Sequence, residues 1–162
     1  MVSTIERIVS EHGQGLRRVA AAYEADAMLQ EDLFQEILLA IHQALPALRE
    51  KDRLAPYVYR IAHNRSASHV AKAVGRKRGE EGAAQMPAEG EEPSPETAML
   101  ESEQADRLAH AIRRLPLSYR QVVTLYLEDM SYADIAEALD ISQSNVGVRI
   151  NRAKQMLKEM LT

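Results

Sequence analysis

Apolar residues recur at helical spacing through much of the chain. Residues 28–45 place Leu33, Phe34, Ile37, Leu38, Ile41 and Leu45 on one side at about 100° per residue, a well-formed amphipathic stripe. The opposite side carries Asp32, Gln35, Glu36, Leu39 and Gln43. Leu39 is therefore an apolar side chain on a polar face, either a tolerated surface leucine or part of a docking face. Pro46 is expected to limit this helix, and residues 49–56 read as a charged loop bounded by Pro56. A second helix follows from about Tyr57 to Val74, with Val58, Ile61, Ala62 and Val70 available to a core. Arg65, His69, Lys72 and Arg76 succeed one another at spacings of four, three and four, so they share a face of positive or protonatable groups.

Three serines mark helix starts further along. Ser118 with Gln121 three residues on predicts a capping box, ahead of Val122, Val123, Leu125 and Tyr126. Ser131 precedes residues 132–139, with Asp134 at the third helical position near the positive end of the dipole. Ser142 heads a helix running to about Met160, and only Asp140 and Ile141 separate it from Leu139. A connection that short forces a sharp angle, the spacing of a helix-turn-helix.

Along the last helix Val146, Ile150, Ala153 and Leu157 fall within about 60° and are expected to face inward. Ser144, Asn145, Val148, Asn151, Arg152 and Gln155 point away, with Arg149 on the flank. Amide, hydroxyl and guanidinium groups in such a row suit major-groove readout, and Val148 suits a thymine methyl. Lys154 and Lys158 stand further along, where a recognition helix meets phosphates. A plain three-helix bundle with a polar outer face is the alternative; the short turn and the scarcity of acidic residues in this helix count against it.

Composition supports the helical reading: 24 Ala and 17 Leu among 162 residues, with one Phe and no Trp. The absence of cysteine excludes disulfides and thiolate metal sites and points to a reducing, cytoplasmic compartment. No run approaches the roughly 18 apolar residues of a membrane span, and Glu6, Arg7 and Glu11 interrupt any signal-peptide core.

At face value a net charge of −4 speaks against a nucleic-acid partner, but the charge is unevenly placed. Residues 1–78 carry +3, residues 79–106 carry −9 and residues 107–162 carry +2. Residues 79–97 also hold three of the six prolines and three of the seven glycines, with no aromatic or β-branched apolar residue, which predicts a flexible, self-repelling linker. On either side the chain is basic in patches: six Lys/Arg and no acid between Arg60 and Arg78, and four against Glu159 alone after Ile141. Such patches are the footprint of phosphate contact, although solvated surface helices also carry them. The expected fold class is all-α, with an N-terminal helical bundle (1–78), an acidic flexible linker (79–98) and a C-terminal helix-turn-helix domain (99–162).

Three segments then carry a resemblance to a known family. Glu31-Asp32-Leu33-Phe34-Gln35-Glu36-Ile37-Leu38, Tyr57-Val58-Tyr59-Arg60-Ile61-Ala62-His63-Asn64-Arg65, and Leu115-Pro116-Leu117-Ser118-Tyr119-Arg120 with the two helices after it resemble bacterial RNA polymerase sigma factors of the extracytoplasmic-function (group IV) type within the sigma-70 family. The resemblance implies a factor that binds core RNA polymerase through its β and β′ subunits and directs promoter-specific initiation. It implies core-polymerase binding at Asp32, Gln35, Glu36 and Leu39. It implies −10 DNA contacts from Tyr57, Arg60, Asn64, Arg65, His69, Lys72 and Arg76, and −35 contacts from Ser144, Asn145, Val148, Arg149, Arg152 and Lys154. Tyr57 stands where the family usually has Trp, Asp140 where it often has Gly, and Ser144-Asn145 where Gly-Thr is common. Members of the family are often held by an anti-sigma factor, though no residue here demonstrates one.

Two other functions compete. A stand-alone helix-turn-helix regulator would dimerise through the N-terminal helices and bind a palindrome without polymerase. An enzyme would need chemistry that the sequence does not offer: the five histidines (His12, His42, His63, His69, His110) pair with no carboxylates at metal-ligand spacing, and no phosphate-cradling loop or nucleophile motif is present. No cofactor, metal or catalytic residue is expected. His63 and His69 are expected to face DNA or solvent. The linker acids, Glu80, Glu81, Glu89, Glu91 and Glu92 among them, are expected to lie against the basic faces of the free protein and restrain its DNA binding.

Overall fold

The computed structural model describes residues 4–48, 53–79 and 100–162, all of them helix or short connection, with no strand among them. The helices are α1 (Thr4–Tyr23), α2 (Ala27–Leu48), α3 (Ala55–Gly79), α4 (Leu100–Arg113), α5 (Leu117–Tyr126), α6 (Tyr132–Leu139) and α7 (Gln143–Leu161). The first three pack on one another as an N-terminal domain, and α4 to α7 form a second. Of the expected acidic linker (79–98), Gly79 is the last residue of α3 and residues 80–98 lie outside the described residues.

The α2 stripe becomes the centre of the first domain. Leu33, Ile37 and Ile41 are fully buried, with Phe34 and Leu45 beside them, each such aliphatic side chain contributing about 1.5–3 kcal/mol on leaving water. Leu38 is half-buried, while Asp32, Gln35, Glu36, Leu39 and Gln43 all stay exposed. From α1 come Ile8, Leu16, Val19 and Tyr23; from α3, Val58, Tyr59 and Ala62. Helix α1 was not anticipated as an element, nor was α4.

Two prolines behave differently from expectation. Pro46 lies inside α2, which continues to Leu48. A proline one turn from a helix end forfeits a single hydrogen bond, and burial of Leu48 holds the final turn against the core. Pro56 does not bound a loop but sits in the first turn of α3, where a missing N–H removes only a group that would have had no helical partner. The same helix runs past Gly75 to Gly79, beyond the Val74 limit expected.

In the second domain the serines divide. Ser131 accepts from the Asp134 N–H at 3.1 Å and Ser142 from the Asn145 N–H at 3.0 Å, so both are N-caps. Ser118 is not: α5 begins at Leu117 with Pro116 as its cap residue, so Ser118 lies inside the first turn; the Pro116 carbonyl accepts from Tyr119 and Arg120, and proline has no side-chain acceptor to add a cap. Asp140 ends α6 in the left-handed conformation (φ 59°, ψ 48°), the geometry for which the family often uses glycine. That residue turns the chain into α7, whose Val146, Ile150, Ala153 and Leu157 are all buried.

The two domains pack directly on each other, a feature no periodicity foretold. Helix α1 lies against α4 and α5, and α3 against α5 and α6. Gly15 on α1 marks a close approach: a Cβ there would overlap the Tyr59 hydroxyl and lie 2.8 Å from Glu128 Oε1.

Candidate nucleic-acid interface

Helix α7 presents its outward row as the sequence predicts. Ser144, Asn145, Asn151, Arg152 and Gln155 are exposed, Arg149 is half-buried on the flank, and Val148 keeps 45% of its surface in solvent. The Ser142 cap and the buried inner face fix the helix, so these side chains project from a rigid support. Lys154 is tethered: its Nζ donates to the Tyr126 hydroxyl at 3.0 Å and lies 4.5 Å from the ring centroid, and that hydrogen bond raises its pKa. The ammonium thus remains charged and is held beside the row rather than sweeping freely.

On α2, Asp32, Gln35, Glu36 and Leu39 form one exposed face, with Leu39 56% accessible among polar neighbours. Gln35 donates to Glu31 at 3.0 Å, and Arg17 donates to the same carboxylate at 2.6 Å while its guanidinium stacks 3.9 Å from the Phe34 ring centroid. The hydrogen bond from Arg17, then that from Gln35, holds the Glu31 carboxyl below the usual carboxylate range. One end of the face is thereby ordered.

The residues expected on the α3 DNA face do not stay together. Asn64, Arg65 and Lys72 are exposed, and an open groove between α2 and α3 runs past Ala40, Ala44, Ile61, Asn64, Arg65 and Ser68. Tyr57 and Arg60 are instead engaged with the second domain. The Tyr57 hydroxyl donates to Glu137 Oε2 at 2.7 Å, which raises its pKa, and Arg60 Nε donates to the Ala138 carbonyl at 2.9 Å, with a further bond to the Glu137 carbonyl. His69 is half-buried and pairs with Glu24 at 2.7 Å, so an acid stands beside a face expected to be purely basic. The Arg76 side chain lies outside the described residues.

His63 corrects the sequence reading outright. It is 1% exposed, neither DNA-facing nor surface, and its Nδ1 is 2.6 Å from the Tyr23 hydroxyl with the rings in a T-shaped contact. Burial pushes the imidazole pKa down to about 3, so the ring is neutral at any ordinary pH. A period of 3.6 places His63 on the same face as buried Tyr59 and Ser66, four residues before and three after it, but its chemical type suggested surface.

Residues that sequence reasoning missed lie between the domains. Arg53 pairs with Asp134 and, at 3.0 Å, with Glu137. Arg18 makes a two-pronged contact to Glu128 at 2.6 and 2.8 Å, Arg113 donates to the Ala21 carbonyl at 2.7 Å, and Arg120 stacks 5.2 Å from the Tyr23 ring centroid. These partners stand some 80 to 110 residues apart in the chain, beyond any motif.

Residues 8–76 match the family model for sigma-70 region 2, and residues 105–157 match that for sigma-70, region 4. The chain is 30% identical over 139 residues to the ECF RNA polymerase sigma-E factor of Haemophilus influenzae, covering 80% of this chain and 73% of that one. It is a member of the extracytoplasmic-function sigma factors of the sigma-70 family. The sigma factor is likewise 31% identical to the RNA polymerase sigma-H factor of Pseudomonas aeruginosa, over 84% of its own length and 75% of the relative's. Among solved structures its fold is similar to the Bartonella quintana sigma factor RpoE in complex with the anti-sigma factor NepR (TM-score 0.77, 19% identity, 99% and 98% of the two chains). It is also similar to CnrH in complex with the cytosolic domain of CnrY (TM-score 0.69, 23% identity, 97% and 86%). As a sigma factor it directs RNA polymerase to promoters. No helix among the described residues is long and apolar enough to cross a membrane.

Proposed function

We propose that this sigma factor divides a promoter between its two domains. Helix α7 reads the −35 element through Ser144, Asn145, Val148, Arg149 and Arg152, with Lys154 on a phosphate. Helix α3 reads the −10 element through Tyr57, Arg60, Asn64, Arg65, His69, Lys72 and Arg76. The exposed α2 face of Asp32, Gln35, Glu36 and Leu39 docks on core polymerase in the cytoplasm, and an anti-sigma factor is the partner that restrains it. Residues 1–78 and 99–162 are the working domains and 79–98 the tether between them.

The observation that carries this reading is the outward row of α7. Side chains fit for base edges stand exposed on a capped helix whose opposite face is fixed in the core. Two modest DNA contacts on one chain reinforce each other once polymerase fixes their separation. Run-off transcription with core polymerase and a random-promoter library tests it, the expected product being a two-part site. Replacing Gln35, Glu36 and Leu39 together should abolish polymerase binding while the far-UV circular dichroism stays unchanged. Clean binding to a palindrome without any polymerase-dependent transcript would favour the stand-alone regulator instead.

A further inference from the structure

Two groups proposed above to meet the −10 strand are spent inside the molecule. Arg60 supplies donors to the carbonyls of Glu137 and Ala138 at the C-terminal end of α6. A helix end leaves such carbonyls without helical partners and carries the negative end of the dipole, so a guanidinium is a favourable occupant. The local turn takes care of a different carbonyl, since the N–H groups of Asp140 and Ile141 both go to Ala136. The side chains of Glu137 and, one helical turn earlier, Asp134 lie on the same face of α6 and hold Arg53 and the Tyr57 hydroxyl. Helix α6 therefore offers α3 a row of carboxylate and carbonyl oxygens, the chemistry that a DNA backbone would offer through its phosphates.

We infer that α6 is an internal mimic of the promoter strand, latching the helix-turn-helix domain over the start of α3 so that the free factor has its −35 reader open and its −10 reader closed. This rests on the promoter reading of α3 given above. Ser144, Asn145, Val148 and Arg152 of the row proposed for the −35 element stay exposed on α7 and take no part in the latch contacts. Tyr57 and Arg60 cannot serve α6 and a DNA strand at once, so strand binding requires the domains to part. A second contact, Arg18 on Glu128, closes the α1 side of the same interface. Arg53 and Arg18 are largely exposed, so the latch is screened by salt and is reversible.

The test uses the full chain carrying Asp134→Asn and Glu137→Gln, which remove two charges from α6 without touching any residue assigned to DNA or polymerase. Because the chain has no cysteine, dyes attached at Gln43→Cys and Gln155→Cys, both at exposed positions, report the separation of the domains by energy transfer. In parallel, binding of a fluorescent pool of random-sequence single-stranded DNA is titrated. The expected result is lower transfer in the variant, lower transfer in the parent as salt rises, and about tenfold tighter strand binding by the variant, as a shift from a mostly closed to a mostly open population requires. Unchanged transfer overturns the latch whatever the DNA titration shows, since loss of two acids raises DNA binding by charge alone. Lower transfer with no strand binding by either protein leaves the latch standing and refutes the promoter reading of α3.

Discussion

Acidification isolates the buried His63. The ring is buried between α1 and α3, bonded to Tyr23 through Nδ1, while its Nε2 has no hydrogen-bond partner among the described residues. Among the described residues no carboxylate faces the ring to offset the lost hydration of an imidazolium, and burial holds the pKa near 3. In the unfolded chain the ring protonates near the ordinary value of about 6.5. The unfolded state therefore binds the additional proton as pH falls from about 6.5 toward 3, so the stability contributed by His63 is intact above that window and declines through it. At pH 5 the deficit is about 1.5 pH units, or ~2 kcal/mol. With a urea dependence of about 1–2 kcal/mol per molar, the unfolding midpoint should drop by about 1–2 M between pH 7.5 and pH 5. Half-buried His12, whose pKa burial also lowers, adds a loss of the same sign. The control is His63→Gln, which retains a hydrogen-bonding group for Tyr23 and does not titrate. It should cost about 1–3 kcal/mol at pH 7.5 yet lose ~2 kcal/mol less than the parent on going to pH 5. Other groups titrate alike in both proteins and cancel in that difference. Equal losses in parent and variant, followed by far-UV circular dichroism in urea, would refute the reasoning.

Further outcomes follow from the helix ends and the outward row. Ser131→Ala and Ser142→Ala should each lower stability by about 1 kcal/mol in thermal unfolding, whereas Ser118→Ala should move it by only a few tenths because no cap is lost. Asp140→Gly should be neutral or stabilising by up to about 1 kcal/mol, and Asp140→Val should cost about 1–2 kcal/mol, since a β-branched residue resists a φ of 59°. Arg152→Ala should leave the melting temperature within a degree or two but weaken binding to the selected −35 duplex by about 1–3 kcal/mol, read by fluorescence anisotropy at fixed salt.

Much of the fold was legible because it follows from local rules. The α2 stripe, the inner and outer faces of α7, and the caps at Ser131 and Ser142 depend on residues within a turn or two of one another. Helix α1 is no less legible in principle, since Ile5, Ile8, Leu16, Val19 and Tyr23 share one face at helical spacing that Gly13 and Gly15 do not interrupt. Ser118 shows the limit of a motif: its spacing fits a capping box, but the helix starts two residues sooner, from the carbonyl of Pro116. The exposure of the outward row of α7 reads directly from sequence because that row lies on one helix. The exposure of the residues proposed for the −10 element does not, because the surroundings of Tyr57, Arg60 and His69 depend on Glu24 and Glu137, residues that periodicity cannot bring to them.

The notch at Gly15 bears on how this protein can be altered. Judged as a helix, α1 is suboptimal there, and alanine would improve its propensity by about 1 kcal/mol. The improvement is unavailable, because the added methyl would meet the hydroxyl of a buried Tyr59 and the carboxylate of Glu128 arriving from the other domain. Selection for a sturdier N-terminal helix and selection for the closed arrangement of domains thus pull in opposite directions at one residue. A thermostabilising screen that scored helix propensity alone would nominate Gly15→Ala, and the change would displace the Tyr59 hydroxyl and the Glu128 carboxylate that meet there.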